Sequence, residues 1–301
     1  MKELKILAVV VAFTLVTYWG VEPFAHSQMH KHVEGHGFTY PDIKDAGVKG
    51  NAANGKNLIA ACAGCHSIKS QGMKAPMDAL SSAGAYGVNP PDLSNAGALY
   101  DAKFLAAFVQ NPAHITKSKH FAMPPSAGSA QDGADIAAYL KSIAPKEITP
   151  KEAFENACGR CHAMRYAKWT QIGTIPKTKT NIKTGQDIDH MKFMQKVAEY
   201  QGKLANYMGK LPPDLSMIIR ARSEEYLKTF IENPQTQLPG TAMPRTGLTK
   251  ESYEKVVKYL EEVGDSSKPK RAAVGPWVLG FFFIFAILAY LWKQSHWKEL
   301  H

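Results

Sequence analysis

An internal repeat is the feature that most constrains how this chain of 301 residues can fold. Five short blocks occur twice, in the same order and at nearly the same spacing. The paired blocks are CAGCH (62–66) and CGRCH (158–162), PPDLS (90–94) and PPDLS (212–216), AKFLAAFVQNP (102–112) and EEYLKTFIENP (224–234), AMP (122–124) and AMP (242–244), and IAAYLKSI (136–143) and VVKYLEEV (256–263). The sequence therefore predicts two copies of one domain, at residues 38–145 and 146–267, between the flanking segments 1–37 and 268–301.

The two copies differ in length at one place. The histidine of the first block and the first proline of the second block are 24 residues apart in the first copy (66 to 90) and 50 apart in the second (162 to 212). We therefore expect an insertion of about 26 residues in the second copy, the difference between those spacings, around residues 177–210.

Helix-forming patterns dominate both copies. Apolar residues recur at helical spacing in the last block of each copy, and the blocks ending in Asn-Pro are amphipathic up to that stop. The predicted helices form three matched pairs, at 55–65 and 151–161, 101–110 and 223–232, and 132–143 and 249–263. No segment shows the sustained alternation of a strand, so the predicted fold class is all-α.

Each copy carries one C-x-x-C-H motif, and the two motifs use all four cysteines of the chain. This motif is the pattern of covalent c-type haem attachment. Two cysteines three residues apart lie on one helical face, where they match the two vinyl groups of a haem, and the next histidine faces the iron. A thioredoxin-like site does not need the histidine, and a zinc site of four thiolates would leave both histidines unexplained. We therefore predict two haems, held by Cys62, Cys65 and His66 and by Cys158, Cys161 and His162.

Each iron needs a sixth ligand, and the repeat singles out two methionines. Met123 and Met243 lie at equivalent places, each in an Ala-Met-Pro loop that could hold a thioether against the second haem face. The rival ligands are His114 and His120 for the first haem and His190 for the second. With both axial positions filled, neither haem has an open site for peroxide, nitrite or oxygen. The pattern therefore favours electron transfer, and we do not expect the chain to be an enzyme by itself.

Both ends of the chain have the character of membrane spans. Residues 275–292 carry no charge, and as a helix they would extend ~27 Å, close to the ~30 Å core of a bilayer. Residues 6–21 form a second uncharged run, which fits either an uncleaved anchor or a cleaved signal peptide. No A-x-A pattern follows that run, which favours the anchor. The histidines between residues 26 and 36 are interpreted as part of a solvated linker.

The charge of the chain is spread along its length. The sequence contains 36 Lys and Arg and 26 Asp and Glu, a formal net charge of +10, without the basic stripe of a nucleic-acid-binding protein. We therefore predict no nucleic-acid partner. The apolar fraction of 45% is that of a folded protein rather than a disordered one.

The motifs resemble those of a known family. Both halves look like class I cytochrome c domains, and the second also resembles cytochrome c1 in CGRCHAMRY (158–166), in LPPDLS followed by Ala-Arg (211–222) and in its terminal span (275–301). The whole pattern is similar to the di-haem cytochrome c that replaces cytochrome c1 in some bacterial cytochrome bc1 complexes. By this resemblance Arg165 and Tyr166 would lie near the haem propionates.

The resemblance also implies a role and partners. The chain would be a membrane-anchored electron-transfer subunit of a quinol–cytochrome c reductase, beside cytochrome b and the Rieske iron–sulfur protein. It would pass electrons to a soluble cytochrome c or a terminal oxidase. Because c-type haems are attached on the export side, residues 38–267 are expected on the periplasmic side of the bacterial inner membrane. The alternatives are a di-haem subunit of a cbb3-type oxidase, or a di-haem peroxidase or thiosulfate-oxidising enzyme.

Overall fold

The computed structural model describes residues 2–30, 35–118, 121–177 and 187–299. The first half contains the helices α1 (Lys2–Val16), α2 (Glu22–His30), α3 (Ala52–Leu58), α4 (Ala79–Tyr86), α5 (Ala96–Leu99), α6 (Ala102–Phe108), α7 (Pro112–Ile115) and α8 (Ala130–Ile143). The second half contains α9 (Pro150–Ala157), the antiparallel pair β1 (Trp169–Thr170) and β2 (Gly173–Thr174), α10 (Ile188–Met208), α11 (Ile218–Ala221), α12 (Glu224–Glu232), α13 (Pro234–Gln237), α14 (Lys250–Gly264) and α15 (Lys268–Glu299). The prediction of a mainly helical fold is confirmed.

In each repeat the first helix packs against the last. Helix α3 packs on α8 in the first repeat, and α9 packs on α14 in the second. The first crossing is close enough to require glycine, because a Cβ on Gly55 would lie 2.0 Å from the Asp135 carbonyl oxygen. The second crossing is held by apolar contact, with the rings of Phe154 and Tyr259 5.1 Å apart. The paired sequence blocks thus correspond to paired helices.

Side-chain caps fix where these helices begin. The Asn51 side chain accepts a hydrogen bond from the Ala53 N–H at the start of α3. Thr149 and Glu152 form a reciprocal capping box at the start of α9. The predicted helices 55–65 and 151–161 both extend too far, because α9 ends at Ala157, before the second motif. Helix α3 ends at Leu58, and Ile59–Gly64 winds more tightly as a 3-10 turn that carries the first cysteine.

The described part of the second repeat's insertion is a long helix. Helix α10 packs on α4 of the first repeat, and Ala83, Tyr200 and Leu204 are buried between them. At the end of α4, Gly87 has a positive φ of 81°, and the ring of Tyr207 lies where its Cβ would be. The insertion therefore extends from the second repeat onto the first.

A loop of the second repeat also docks on the first. The backbone N–H of Asp101 donates to the Gly247 oxygen at 2.9 Å, and Thr249 donates to the Leu99 oxygen at 3.0 Å. Leu99 belongs to the same buried apolar cluster as Phe154. One apolar cluster therefore spans both repeats, while the first repeat also has a separate cluster that includes Ile59 and Ile136.

The two ends form long exposed helices. The ranges Glu3–Gln28 and Lys268–Lys298 are long and apolar enough to cross a membrane, judged by length and composition. Neither is buried against the rest of the described chain. The start of the first and the end of the second lie together, with Lys293 in an ion pair with Glu3 at 2.5 Å. Both predicted membrane segments thus lie within candidate spans.

Candidate haem-binding sites

The two C-x-x-C-H motifs have the same backbone hydrogen bonds. In the first, the N–H groups of Cys65 and His66 donate to the Cys62 oxygen at 3.1 and 2.9 Å. In the second, the equivalent N–H groups donate to the Cys158 oxygen, again at 3.1 and 2.9 Å. Each motif therefore forms one tight turn that presents both cysteines and the histidine together.

Both motif histidines are oriented by a proline carbonyl of the PPDLS block. The Nδ1 atom of His66 lies 2.8 Å from the Pro91 oxygen, and that of His162 lies 2.8 Å from the Pro213 oxygen. Because a carbonyl only accepts hydrogen bonds, each Nδ1 carries the proton and each Nε2 keeps a lone pair for a metal. Burial lowers the pKa of both imidazoles, which favours the neutral form that ligates iron.

The aspartate of each PPDLS block ties its loop to the motif. Asp92 accepts hydrogen bonds from the Ser67 hydroxyl at 2.7 Å and from the Ser94 N–H at 2.8 Å. Asp214 accepts from two backbone N–H groups, those of Arg165 and Ser216, both at 2.9 Å. The repeat is thus conserved in contacts as well as in sequence.

An apolar cavity, which we call the first cavity, brings together the predicted ligands of the first haem. Cys62, Cys65, His66 and Met123 all line it. The apolar lining includes Ile59, Leu93, Ala96, Phe104, Leu105, Phe108, Val109, Ile136 and Leu140. A c-type haem fits this donor set, with two cysteines for the vinyl groups and an imidazole and a thioether for the iron.

The cysteines do not have the surroundings of thiolate metal ligands. All four lie in described residues, and none of them forms a disulfide. Burial raises the pKa of Cys158 to about 12 and also raises that of Cys62, so both are neutral thiols when nothing is bound to them. Within the described parts of the chain, no group of three or more His, Cys, Asp or Glu side chains could hold a metal ion. The alternative of a zinc site with four thiolates therefore has no support in the structure.

The predicted residues of the second haem are only partly brought together. Cys161 lines the first cavity, whereas Met243 and His162 do not. Met243 is half-buried, and its carbonyl accepts a hydrogen bond from the Gln235 side chain at 2.8 Å. Met243 therefore stays a prediction as the sixth ligand.

The rival ligands occupy different places. His114 is exposed at the end of α7, His190 is half-buried in the first turn of α10, and His120 lies outside the described residues. Neither His114 nor His190 lines the cavity that contains Met123.

Arg165 and Tyr166 lie on the surface beside the second motif. Both side chains are exposed, in the short turn Arg165–Ala167. The Tyr166 hydroxyl donates to the Met217 sulfur at 3.0 Å, and the Tyr166 N–H donates to the Ser216 hydroxyl at 3.1 Å. Their role near haem propionates stays a prediction.

The sequence pattern does not indicate which residues of the second repeat line the first cavity. These include Arg160, Tyr207 and Arg245. The insertion could have drawn attention to Tyr207, since it marks where the two copies differ. Nothing in the repeat pattern links the two arginines to the first motif.

Comparison with known proteins identifies the first domain. The sequence profile described as "Cytochrome c" matches residues 52–144. A curated relative is the ammonia monooxygenase gamma subunit of Nitrosomonas europaea, 27% identical over 194 residues, covering 50% of this chain and 81% of the relative. Another is cytochrome c1 of Allochromatium vinosum, 22% identical over 201 residues, covering 49% of this chain and 82% of the relative. A solved structure, "Hyperthermophilic respiratory Complex III", is 28% identical and covers 50% of this chain and 75% of that chain, with a TM-score of 0.37.

The family match agrees with the geometry of the first cavity. The matched residues contain the first motif, the first PPDLS block and the Met123 loop. The chain therefore contains a cytochrome c domain of the kind that binds c-type haem covalently and transfers electrons. Its similarity to cytochrome c1 is weak.

Proposed function

We propose that this chain is a membrane-anchored di-haem electron-transfer subunit of a quinol–cytochrome c reductase (cytochrome bc1) complex. It receives electrons from a Rieske iron–sulfur protein and passes them to a soluble cytochrome c or a terminal oxidase. The proposal rests mainly on one observation. In both motifs the histidine Nδ1 atom lies 2.8 Å from a proline carbonyl oxygen of its own PPDLS block.

The matched anchoring supports a second haem in the second repeat. His66 lies in the domain that the cytochrome c family matches, and its hydrogen bond leaves Nε2 available for iron. His162 has the same hydrogen bond and the same turn, and both side chains are half-buried. Two copies of one ligand geometry are expected to bind two copies of one cofactor.

Haem supplies reversible one-electron chemistry, and the residues around it determine how readily it accepts an electron. Met123 in the cavity offers a thioether, which raises the reduction potential relative to a second imidazole. Met243 has the equivalent position in the second repeat. A Rieske donor spans about −150 to +300 mV, so a haem with one His and one Met ligand suits it better than a bis-His haem.

The contact between the repeats supports a relay. Cys65 and His66 of the first motif line the same cavity as Cys161 of the second. Haems attached at these positions would lie side by side, so an electron could pass between them within one chain. The apolar lining excludes water from the first haem, which limits solvent reorganisation when its charge changes.

The two end helices support a membrane anchor with both ends on one side. Because Glu3 pairs with Lys293, the start of the first span lies beside the end of the second. If both cross the bilayer, the haem domains between them lie on the opposite face, which we assign to the periplasm. The similarity to cytochrome c1 leads us to propose cytochrome b and a Rieske protein as partners.

Isolation of the native membrane complex tests this function. Affinity purification of the tagged full chain from mild detergent should recover cytochrome b and a Rieske protein, with quinol-dependent reduction of both c-type haems. Protease added to spheroplasts should digest residues 38–267 and spare the tail after residue 293. Recovery of a haem-copper oxidase instead of cytochrome b would contradict the proposal, and so would CO binding to the reduced native protein as fast as to a haem with an open axial site.

A further inference from the structure

We propose that Arg160 and Arg245, both from the second repeat, bind the two propionate carboxylates of the haem held by the first repeat. The inference rests on one part of the proposed function, the haem attached at Cys62 and Cys65. It assigns a binding role to two residues outside the matched cytochrome c domain.

The first observation is a pair of buried nitrogen atoms without partners. The Nε atoms of Arg160 and Arg245 are both buried and have no hydrogen-bond partner. Both side chains line the first cavity. A buried N–H donor without a partner is costly, and buried polar groups in proteins are normally hydrogen-bonded. The cavity is therefore suited to a ligand that carries hydrogen-bond acceptors, and carboxylates are the strongest of these for a guanidinium.

Haem provides the matching anions. Its macrocycle is apolar, but it carries two carboxylates on the edge opposite the vinyl groups. The cavity offers one unpaired N–H donor from each of two guanidinium groups and a largely apolar wall, so it has one donor for each propionate. Arginine binds carboxylates through several N–H donors at once, which suits a propionate.

Both arginines are fixed in place before any ligand arrives. Arg245 is 3% exposed, and its two Nη atoms lie 2.7 and 2.6 Å from the Asp42 carboxylate. Its guanidinium also lies over the Tyr40 ring, 4.8 Å from the ring centroid. Arg160 donates from Nη1 to the Asn89 oxygen at 3.2 Å, across the junction between the repeats. Both Nη atoms of Arg245 and Nη1 of Arg160 are therefore occupied, and Nε is left over in each side chain.

The sequence explains why the second repeat must supply these groups. The chain has no arginine before Arg160, so the first repeat has none of its own. Ten residues after the first proline of PPDLS, the second repeat has Arg222 where the first has Tyr100. Burial raises the pKa of Tyr100, and the nearby Arg160 charge opposes that shift. Arg160 therefore brings a positive charge close to a position where the first repeat lacks one.

A redox titration of the full-length holoprotein in detergent tests the proposal. A positive charge beside a haem stabilises the reduced state, which carries one positive charge fewer. Arg160→Gln and Arg245→Gln should each make reduction of the first haem at least tenfold less favourable, about 59 mV for one electron. Arg160→Lys keeps the charge and should lower the reduction potential of the first haem by less than Arg160→Gln does. Lys141→Gln removes an exposed charge from the first repeat, which holds the first haem, and is the control.

Two further measurements make the result specific. The first haem is identified by its loss of native spectrum in Met123→His. The propionate bending mode in resonance Raman spectra should shift for that haem in Arg160→Gln and Arg245→Gln, because it responds to hydrogen bonding at the propionates. A purely structural role for these arginines would not move it.

The outcomes separate this proposal from the function on which it rests. A full complement of haem with a first-haem potential and Raman mode equal to those of Lys141→Gln would overturn the arginine assignment alone. A shift confined to the second haem would overturn it too. If no haem were attached at Cys62 and Cys65 in the unmutated chain, both the proposed function and this inference would fail.

Discussion

Tyr207 links the loop of Met123 to the helix that the second repeat inserts. Its hydroxyl accepts a hydrogen bond from the Ala122 N–H at 3.0 Å, one residue before Met123. Its ring lies against Gly87 at the end of α4. Tyr207→Phe keeps the ring and removes the acceptor. We expect this change to loosen the Met123 loop without displacing α10.

The size of the effect follows from one hydrogen bond. A typical bond of this kind contributes about 0.5–1.5 kcal/mol, and 1.4 kcal/mol corresponds to a tenfold change in an equilibrium. Ala122 is exposed, so its freed N–H can bind water and no buried donor is left unpaired, which keeps the loss within this range. The state with Met123 detached from iron should become roughly 2- to 10-fold more populated.

Carbon monoxide measures that population. Carbon monoxide can bind ferrous haem only after the methionine leaves, so its binding rate to the first haem should rise roughly 2- to 10-fold in Tyr207→Phe. Tyr253→Phe is the control, because the Tyr253 hydroxyl donates to the Glu224 oxygen at 3.4 Å and the residue does not line the first cavity. Equal rates in the unmutated chain and in Tyr207→Phe would refute the reasoning. So would an equal increase in both tyrosine variants.

Three further predictions concern the crossing of helices, the charge at the domain junction and the axial ligands. Gly55→Ala should lower the free energy of unfolding by about 1–3 kcal/mol in denaturant titrations, because its Cβ would overlap the Asp135 oxygen, whereas Gly84→Ala should cost less than about 0.5 kcal/mol. The Arg245 guanidinium lowers the pKa of Asp42 to about 2. The ion pair therefore stabilises the fold above the ordinary pKa of 3.8, and this stabilisation disappears as the pH falls toward 2. The free energy of unfolding of Asp42→Asn should therefore be lower than that of the unmutated chain at pH 6 and nearly equal to it at pH 2. A difference that did not change with pH would argue against this ion pair. Met123→His and Met243→His should each keep the haem attached and lower the reduction potential of one haem. Each should also halve the near-infrared absorption band of Met-ligated iron. An unchanged band in both variants would show that other residues are the ligands.

The repeat and its motifs were predictable because they are local in sequence. The helical fold followed from apolar spacing, Asn-Pro stops and the absence of strand alternation. The tight turn that each C-x-x-C-H motif itself forms did not follow from the sequence, whereas the place of the motif just after a helix did. Such patterns are set by neighbours along the chain, so the sequence is enough to find them.

The contacts between the repeats were not predictable in this way. Helix α10 lies in the expected insertion, but nothing in its composition indicates that it packs on α4 of the other repeat. Arg245 lies two residues after Met243, yet its partner Asp42 is more than 200 positions away in the chain. Side chains that meet through tertiary packing have no fixed spacing in sequence. This is why the residues that complete the first cavity came only from the structure.

The number of haems per chain tests the central claim most directly. A pyridine haemochrome assay on the purified full chain, with the protein measured independently, should give two covalently attached haems. Cys62→Ala with Cys65→Ala should leave one haem, and Cys158→Ala with Cys161→Ala should also leave one. One haem in the unmutated chain, unaffected by loss of Cys158 and Cys161, would contradict the account.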